Sequence, residues 1–299
     1  MFANACEKAY KFTRPLIVST RTVGGTVSAA VGTFFFVNSD GWAMTAGHMF
    51  DSFVKFQGDL NKIKEIDGIN ESKKAAGPDG VSIEQLNKLE KDQNWITNHS
   101  FWFGQDGIRM STVFVNRQVD IAIMKLEGVK PEMVSEFPVF RDPATMRPGT
   151  SLCRLGFPFV NVESDFDAPT NSFRIKKGVL PLPFFPNDGI HTRNLNGGKS
   201  KDGFDLLYVE TSTPGLKGQS GGPIFDAQGR IYAMQVRTNH IPLGFHPTAE
   251  YEGKVMVENQ FINVGVAVHG KVIQDILRSK NVRFNTDTKD SNGDVFVIN

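Results

Sequence analysis

Gly218-Gln219-Ser220-Gly221-Gly222-Pro223 runs into Ile224-Phe225-Asp226, then into Ala227-Gln228-Gly229, then into Arg230-Ile231-Tyr232-Ala233-Met234-Gln235-Val236. A glycine-rich turn, a short apolar run, a polar turn and a second apolar run together read as a β-hairpin. The G-x-S-x-G pattern inside the stretch also occurs at strand-to-helix elbows, but such an elbow opens a helix, and its acid and histidine follow it in the chain. Here another strand-like run follows, and the candidate acid and histidine lie upstream. The stretch therefore points to a β-protein.

The rest of the chain agrees. Runs rich in Val, Ile, Thr and Phe, bounded by Gly, Asn, Asp or Pro, occupy 26–37, 42–45, 112–115, 121–126, 206–212 and 261–268, with Ser39-Asp40-Gly41 as a hairpin turn between the first two. Many short strands at this spacing suggest a sandwich or barrels, and 299 residues suffice for two moderate barrels. The stretch 58–98 is charged and polar, and Ser82-Ile83-Glu84-Gln85 is a capping box that predicts a helix with Ile83, Leu86 and Leu89 on one stripe. It reads as an inserted surface excursion, or as a lid or docking element. The stretch 178–203 is rich in Gly and Pro and reads as a flexible loop. Its Asn196-Gly197-Gly198-Lys199-Ser200 resembles the end of a phosphate-binding loop, but Arg193 stands where that motif needs its first glycine. Val272, Ile273, Ile276 and Leu277 predict a packed terminal helix over 271–278, and 285–299 reads as a partly unstructured tail.

Composition narrows the function classes. Lys plus Arg number 33 against 32 Asp plus Glu, a net charge of +1, so nothing in the balance favours nucleic acid or an anionic membrane as a partner. Two cysteines, Cys6 and Cys153, are too few for a disulfide framework. The first residues lack a signal-peptide pattern, and no run approaches the ~20 apolar residues of a membrane span. The expectation is a soluble, cytoplasmic protein.

Three segments carry the chemistry: Thr45-Ala46-Gly47-His48, Val119-Asp120-Ile121-Ala122 and Gly218 to Pro223. A serine hydroxyl needs an imidazole to take its proton, and the imidazole needs a carboxylate to fix its tautomer. Ser220, His48 and Asp120 supply the three groups. Gly218, Gly221 and Gly222 let the backbone turn sharply, so that the amides of Gly218 and Ser220 can point at one spot as an oxyanion hole. His48 follows a strand, and Asp120 precedes the alternating run Ile121 to Leu126. His99, His191, His240, His246 and His269 have no comparable setting and read as structural or surface residues. No H-E-x-x-H occurs and two isolated cysteines make no zinc cluster, so neither metal nor cofactor is expected.

These segments, in this order, resemble the trypsin-like, chymotrypsin-fold serine peptidases, with flanks similar to the HtrA/Deg-type proteases. The similarity extends from about Thr26 to Leu277, with Asn263 to Val268 similar to the family's last strand. The resemblance implies an all-β fold of two six-stranded antiparallel β-barrels, with a C-terminal helix and the helical insertion 58–98, in one domain over 1–285. The N-terminal barrel would span about 12–150, the C-terminal barrel and helix about 151–285, and 286–299 would be tail. It implies an endopeptidase acting through an acyl-enzyme on a protein or peptide substrate. A pocket for the substrate side chain N-terminal to the cleaved bond (P1) would be lined by Thr213, Pro214, Gly215, Leu216 and Lys217, by Gln235, Val236 and Arg237, and by Gly265. Pro214 stands where trypsin carries its specificity aspartate, so a Lys or Arg preference is not expected. A small or medium apolar residue is one expectation, and an acidic neighbour favoured by Lys217 and Arg237 is the other. Gln219 replaces the aspartate that digestive members pair with a new N-terminus, so activation is expected not to need that cleavage, despite Thr22-Val23-Gly24-Gly25. A silent binding protein with this fold, or an esterase with the same triad, are the alternatives. The insertion is expected to gate the site or dock a regulatory protein partner.

Overall fold

The β-branched and aromatic runs form strands as their alternation requires, in a computed structural model that describes residues 2–75, 89–257, 260–289 and 295–298. Helix α1 (Ala3–Phe12) leads into β1 (Thr13–Thr22), β2 (Val27–Phe36), β3 (Trp42–Ala46), helix α2 (Asp51–Ala75), β4 (Ile96–Phe103), β5 (Arg109–Asn116) and β6 (Ile121–Glu127). These six strands make one antiparallel sheet in the order β4-β1-β2-β3-β6-β5. It curls around a phenylalanine core in which Phe34 meets Phe36 edge-on at 5.3 Å and Phe103 at 5.8 Å.

The second half continues with β7 (Val139–Phe140), β8 (Ser151–Arg154), β9 (Ser164–Asp167), β10 (Ser172–Ile175), β11 (Asn187–Lys199), β12 (Asp205–Thr211), β13 (Pro223–Asp226), β14 (Ile231–Pro242), β15 (Thr248–Tyr251), β16 (Lys254–Val257) and β17 (Phe261–His269). Helix α3 (Gly270–Ser279), β18 (Phe284–Lys289) and β19 (Val295–Ile298) complete it. Strands β13, β8, β11, β12, β17 and β14 are hydrogen-bonded in that order, and β13 also pairs with β14, so six strands close on themselves. The expected pair of six-stranded barrels is thus met approximately: the second closes, while the first is a half-barrel ending at β4 and β5. Helix α3 packs Val272, Ile273, Ile276 and Leu277 into the core, as their spacing predicted.

Three segments differ from the sequence expectation. Helix α2 begins at Asp51, seven residues before the polar stretch, because Phe53 and Phe56 pack on His99 and Phe101 of β4 and the buried Asp59 accepts from the Ile96 N–H at 2.9 Å. Gly58 and Gly68 face open space and do not interrupt it. The Ser82 to Gln85 capping box lies outside the described residues. The supposed loop 178–203 contains β11, whose Asn- and Gly-rich sequence is held by ladders to β8 on one side and β12 on the other. The supposed tail supplies β18, which pairs in parallel with β7 and buries Phe284 against Phe140 at 5.4 Å, and β19, which pairs with β18.

Candidate active site

His48 lies in a single 3₁₀ turn, Gly47–Phe50, directly after β3. A side chain on Gly47 would place its Cβ 3.0 Å from the Ile121 nitrogen and 3.2 Å from Asp120 Oδ1, so the glycine lets the histidine turn seat on the aspartate turn. Asp120 sits at the end of β6's approach, in a turn held by Asn116. Asn116 Oδ1 accepts from the amides of Gln118 at 3.0 Å and Val119 at 2.9 Å, and the Asp120 N–H donates to Asn116 O at 3.0 Å. The chain turns through φ +67° at Asp120, a left-handed conformation that Asp tolerates better than most residues.

The carboxylate grips the histidine at two places. His48 N–H donates to Asp120 Oδ1 at 2.8 Å, and His48 Nδ1 lies 2.9 Å from Oδ2 and 3.1 Å from Oδ1. An ionised carboxylate only accepts, so Nδ1 carries a proton, and in the neutral ring the lone pair is on Nε2. Burial pushes the Asp120 carboxyl up, but the hydrogen bond from the His48 ring, its charge, the His48 backbone N–H and the charge of Arg117 outweigh it and hold the group below the usual carboxylate range. Arg117 Nη1 is 3.4 Å from Asp120 Oδ1, and its Nη2 is 2.7 Å from Asp51 at the head of α2.

Ser220 reaches the same region on a turn pinned to the first sheet. The Thr33 N–H donates to Ser220 O at 2.9 Å, Thr33 Oγ1 donates to Gly218 O at 2.7 Å, and the Gly221 N–H donates to Gln235 O at 2.8 Å. A Cβ on Gly221, which has φ +82°, would lie 2.8 Å from the Ala46 nitrogen, so this turn packs against the strand end that presents His48. Among the described residues no hydrogen bond joins Ser220 Oγ to the His48 ring, and neither the Gly218 nor the Ser220 N–H has a hydrogen-bond partner. Such a contact commonly tightens only when substrate binds.

The expected pocket residues converge as well. Gly265 N–H donates to Thr213 O at 2.9 Å, Thr238 Oγ1 to Gly215 O at 2.6 Å, and Gln235 Cγ would touch a Cβ on Gly215 at 3.0 Å. Pro214 is held through its carbonyl by Asn187 Nδ2 at 3.0 Å, and the Leu216 N–H donates to Gln219 Oε1 at 3.0 Å. Val236 is buried, Lys217 is exposed, and Arg237 lies over the Tyr208 ring at 4.8 Å. Gln219 is fully buried and has only neutral partners, its Nε2 donating to Phe185 O at 3.3 Å. Thr22 to Gly25 form the β1–β2 turn, tied to Trp95 and Gln93. Sequence reasoning passed over Arg117 and Arg154. A lone cation in the apolar run Ser151-Leu152-Cys153-Arg154-Leu155 was the available signal for the latter.

Of the other histidines, His191 and His269 are buried, while His240 and His246 are exposed. Burial pulls His99 down to about 4 inside its aromatic cluster. It does the same to His269, helped by the charges of His191 and Lys271. Among the described residues no group of three or more His, Cys, Asp or Glu side chains could hold a metal ion, and no helix is long and apolar enough to cross a membrane.

Solved structures similar to this chain include the HtrA-type protease AlgW with a tripeptide, at TM-score 0.49 and 13% identity over 93% of this chain and 63% of that one. Another is the Rv3671c protease from M. tuberculosis in its active form, at TM-score 0.49 and 12% identity over 92% of this chain and 82% of that one. The chain thus spans less than two thirds of the AlgW chain. No curated protein sequence matches it. The family model described as the trypsin-like peptidase domain matches residues 32–234. With more than half of its length under that match, the chain belongs to the trypsin-like peptidase family.

Proposed function

We propose that this peptidase is a serine endopeptidase. The observation that carries the reading is the double grip of Asp120 on His48, which takes up Nδ1 and leaves Nε2 free of that carboxylate, next to a strand end on which the Ser220 turn packs. Ser220 Oγ attacks the peptide carbonyl carbon while His48 Nε2 takes its proton, and the amides of Gly218 and Ser220 hold the oxyanion. His48 then gives that proton to the leaving amine, the C–N bond breaks, and water releases the acyl group by the same steps with His48 again as base. Asp120 stays ionised throughout and stabilises the imidazolium.

The test is intact mass after exposure to a fluorophosphonate, on the wild type and on Ser220→Ala, followed by paired peptide and ester substrates. One adduct that Ser220→Ala abolishes, together with peptide turnover, is the expected result. Ester turnover alone would make the protein an esterase. A folded wild type without adduct or turnover would make it a binding protein on a peptidase scaffold.

A further inference from the structure

Strand β8 carries one cation, and it points inward: Arg154 is 2% exposed. Its guanidinium reaches the segments assigned above to the P1 pocket. Nη1 donates to Gln235 Oε1 at 3.2 Å, while Nη2 donates to Thr211 Oγ1 at 2.5 Å, to Thr213 O at 2.9 Å and to Thr213 Oγ1 at 3.2 Å. A Cβ on Gly265 would lie 2.6 Å from Nη1, so this pocket residue rests directly on the guanidinium. Nε is buried without a hydrogen-bond partner.

Every acceptor around Arg154 is neutral. Among the described residues no carboxylate comes within ion-pair distance of it, and Asp188, whose charge acts on it through space, is an exposed side chain. Burial pulls the group down to about 10, against the charge of Asp188, so it is cationic at neutral pH. Buried charges are ordinarily paired, because an unpaired one forfeits its hydration without recompense. Lys217 and Arg237 add positive charge, and none of the nine residues expected to line the pocket is acidic.

We propose that the P1 pocket selects an acidic side chain, so that the enzyme cleaves after Asp or Glu, with Arg154 as the specificity-determining charge. The inference rests on the serine-endopeptidase reading. The Gln235 carboxamide links the guanidinium to the segments expected to line the pocket, accepting from Arg154 Nη1 at 3.2 Å, lying under Gly215, and donating from Nε2 to Arg237 O at 2.7 Å and to Val266 O at 3.3 Å. Arg154 therefore acts across one amide, a separation over which a desolvated charge is little screened. A basic P1 side chain is repelled, and an apolar one leaves the cation uncompensated.

The experiment compares fluorogenic peptides that differ only at P1, as Glu against Gln and Asp against Asn, with Val and Lys peptides beside them, on the full chain. The wild type is expected to favour Glu over Gln by at least about tenfold in kcat/KM, equivalent to about 1.4 kcal/mol. That ratio should fall toward one in Arg154→Met and be largely restored in Arg154→Lys. Each ratio is internal to one preparation, so partial loss of folded enzyme cancels. Where the variants do not fold, the wild-type ratio decides. A wild type that prefers Gln or Val to Glu, or a ratio unchanged in a folded Arg154→Met, overturns the proposal. Fluorophosphonate labelling of wild-type Ser220 separates the two readings. Labelling without acidic preference rejects this inference alone, whereas no labelling and no turnover rejects the peptidase mechanism and this inference with it.

Discussion

Asp120 holds φ at +67° while its carboxylate spans the His48 ring and backbone, so conformation and chemistry make separate demands on one residue. Asn tolerates left-handed backbone nearly as well as Asp does. Asp120→Asn is therefore expected to fold with stability within about 1 kcal/mol of the wild type, yet to lose about 10⁴ in kcat because an amide cannot hold the required imidazole tautomer. Equal turnover by a variant with an unchanged melting curve would remove Asp120 from the mechanism. Arg117 calls for a smaller expectation. Its side chain is 47% exposed and stands 3.4 Å from Asp120, where solvent screens most of the attraction. Arg117→Gln should change kcat/KM by less than about fivefold, and by less again at high salt. A loss of a hundredfold would show that the arginine holds the aspartate in place. His48, Asp120 and Ser220 were legible in the sequence as candidates because each motif is local. Arg154 was not, since only the fold brings β8 beneath Gln235 and Gly265.

The β13–β14 hairpin, which follows the Ser220 turn, is closed by a buried carboxylate. Asp226 is 2% exposed and accepts from Arg141 Nη1 at 2.7 Å, Arg230 Nε at 2.8 Å and the Gln228 N–H at 2.9 Å. Burial pushes this carboxyl up, but the two arginines and the backbone N–H of Arg230 outweigh it and hold it below the usual range. A carboxyl depressed in the folded state stabilises fully above its unfolded value, about 3.9, and the contribution is lost as pH falls through the lower folded value. Urea midpoints should therefore drop on acidification below about pH 4 more steeply in the wild type than in Asp226→Asn. Asp226→Ala should cost about 3 kcal/mol at neutral pH by leaving Arg141 without its carboxylate and Arg230 with Asp287 alone. Parallel pH curves for wild type and Asp226→Asn would contradict this account. At the same scale, the hairpin was readable from alternation and Gly229. Strand β11 and the body of α2 were not, because Asn and Gly in one and Gly58 and Gly68 in the other hide local preference, and tertiary partners on β8, β12 and β4 decide the outcome.

Across the whole molecule, the site exists only where the two sheets meet. Ser220 comes from the closed barrel, His48 and Asp120 from the half-barrel, and Thr33 of β2 is one polar link between them, beside Asn116 Nδ2 to Asp202 Oδ2 at 3.0 Å and the Tyr208 hydroxyl to Gln118 O at 2.9 Å. Fully buried, Thr33 donates from its amide to Ser220 O at 2.9 Å and from Oγ1 to Gly218 O at 2.7 Å, while its own carbonyl accepts from Thr45 Oγ1 at 2.7 Å. Among the described residues, Gly218 O then keeps the Phe157 N–H, at 3.3 Å, as its further donor. Valine preserves the shape of threonine and its backbone hydrogen bonds but deletes the hydroxyl. Thr33→Val should thus cost about 1–2 kcal/mol of stability, the usual penalty for a buried acceptor losing its better partner. It should also loosen the Gly218 carbonyl, which lies one Cα away from that residue's own N–H. Misplacement of one oxyanion donor commonly costs about 100-fold or more in turnover, and partial loosening should cost about tenfold. Second-order rates of fluorophosphonate labelling, measured on folded variant and wild type at one pH, read this directly. A labelling rate equal to wild type in a destabilised Thr33→Val would mean that the hydroxyl braces the barrels without setting the geometry at Ser220.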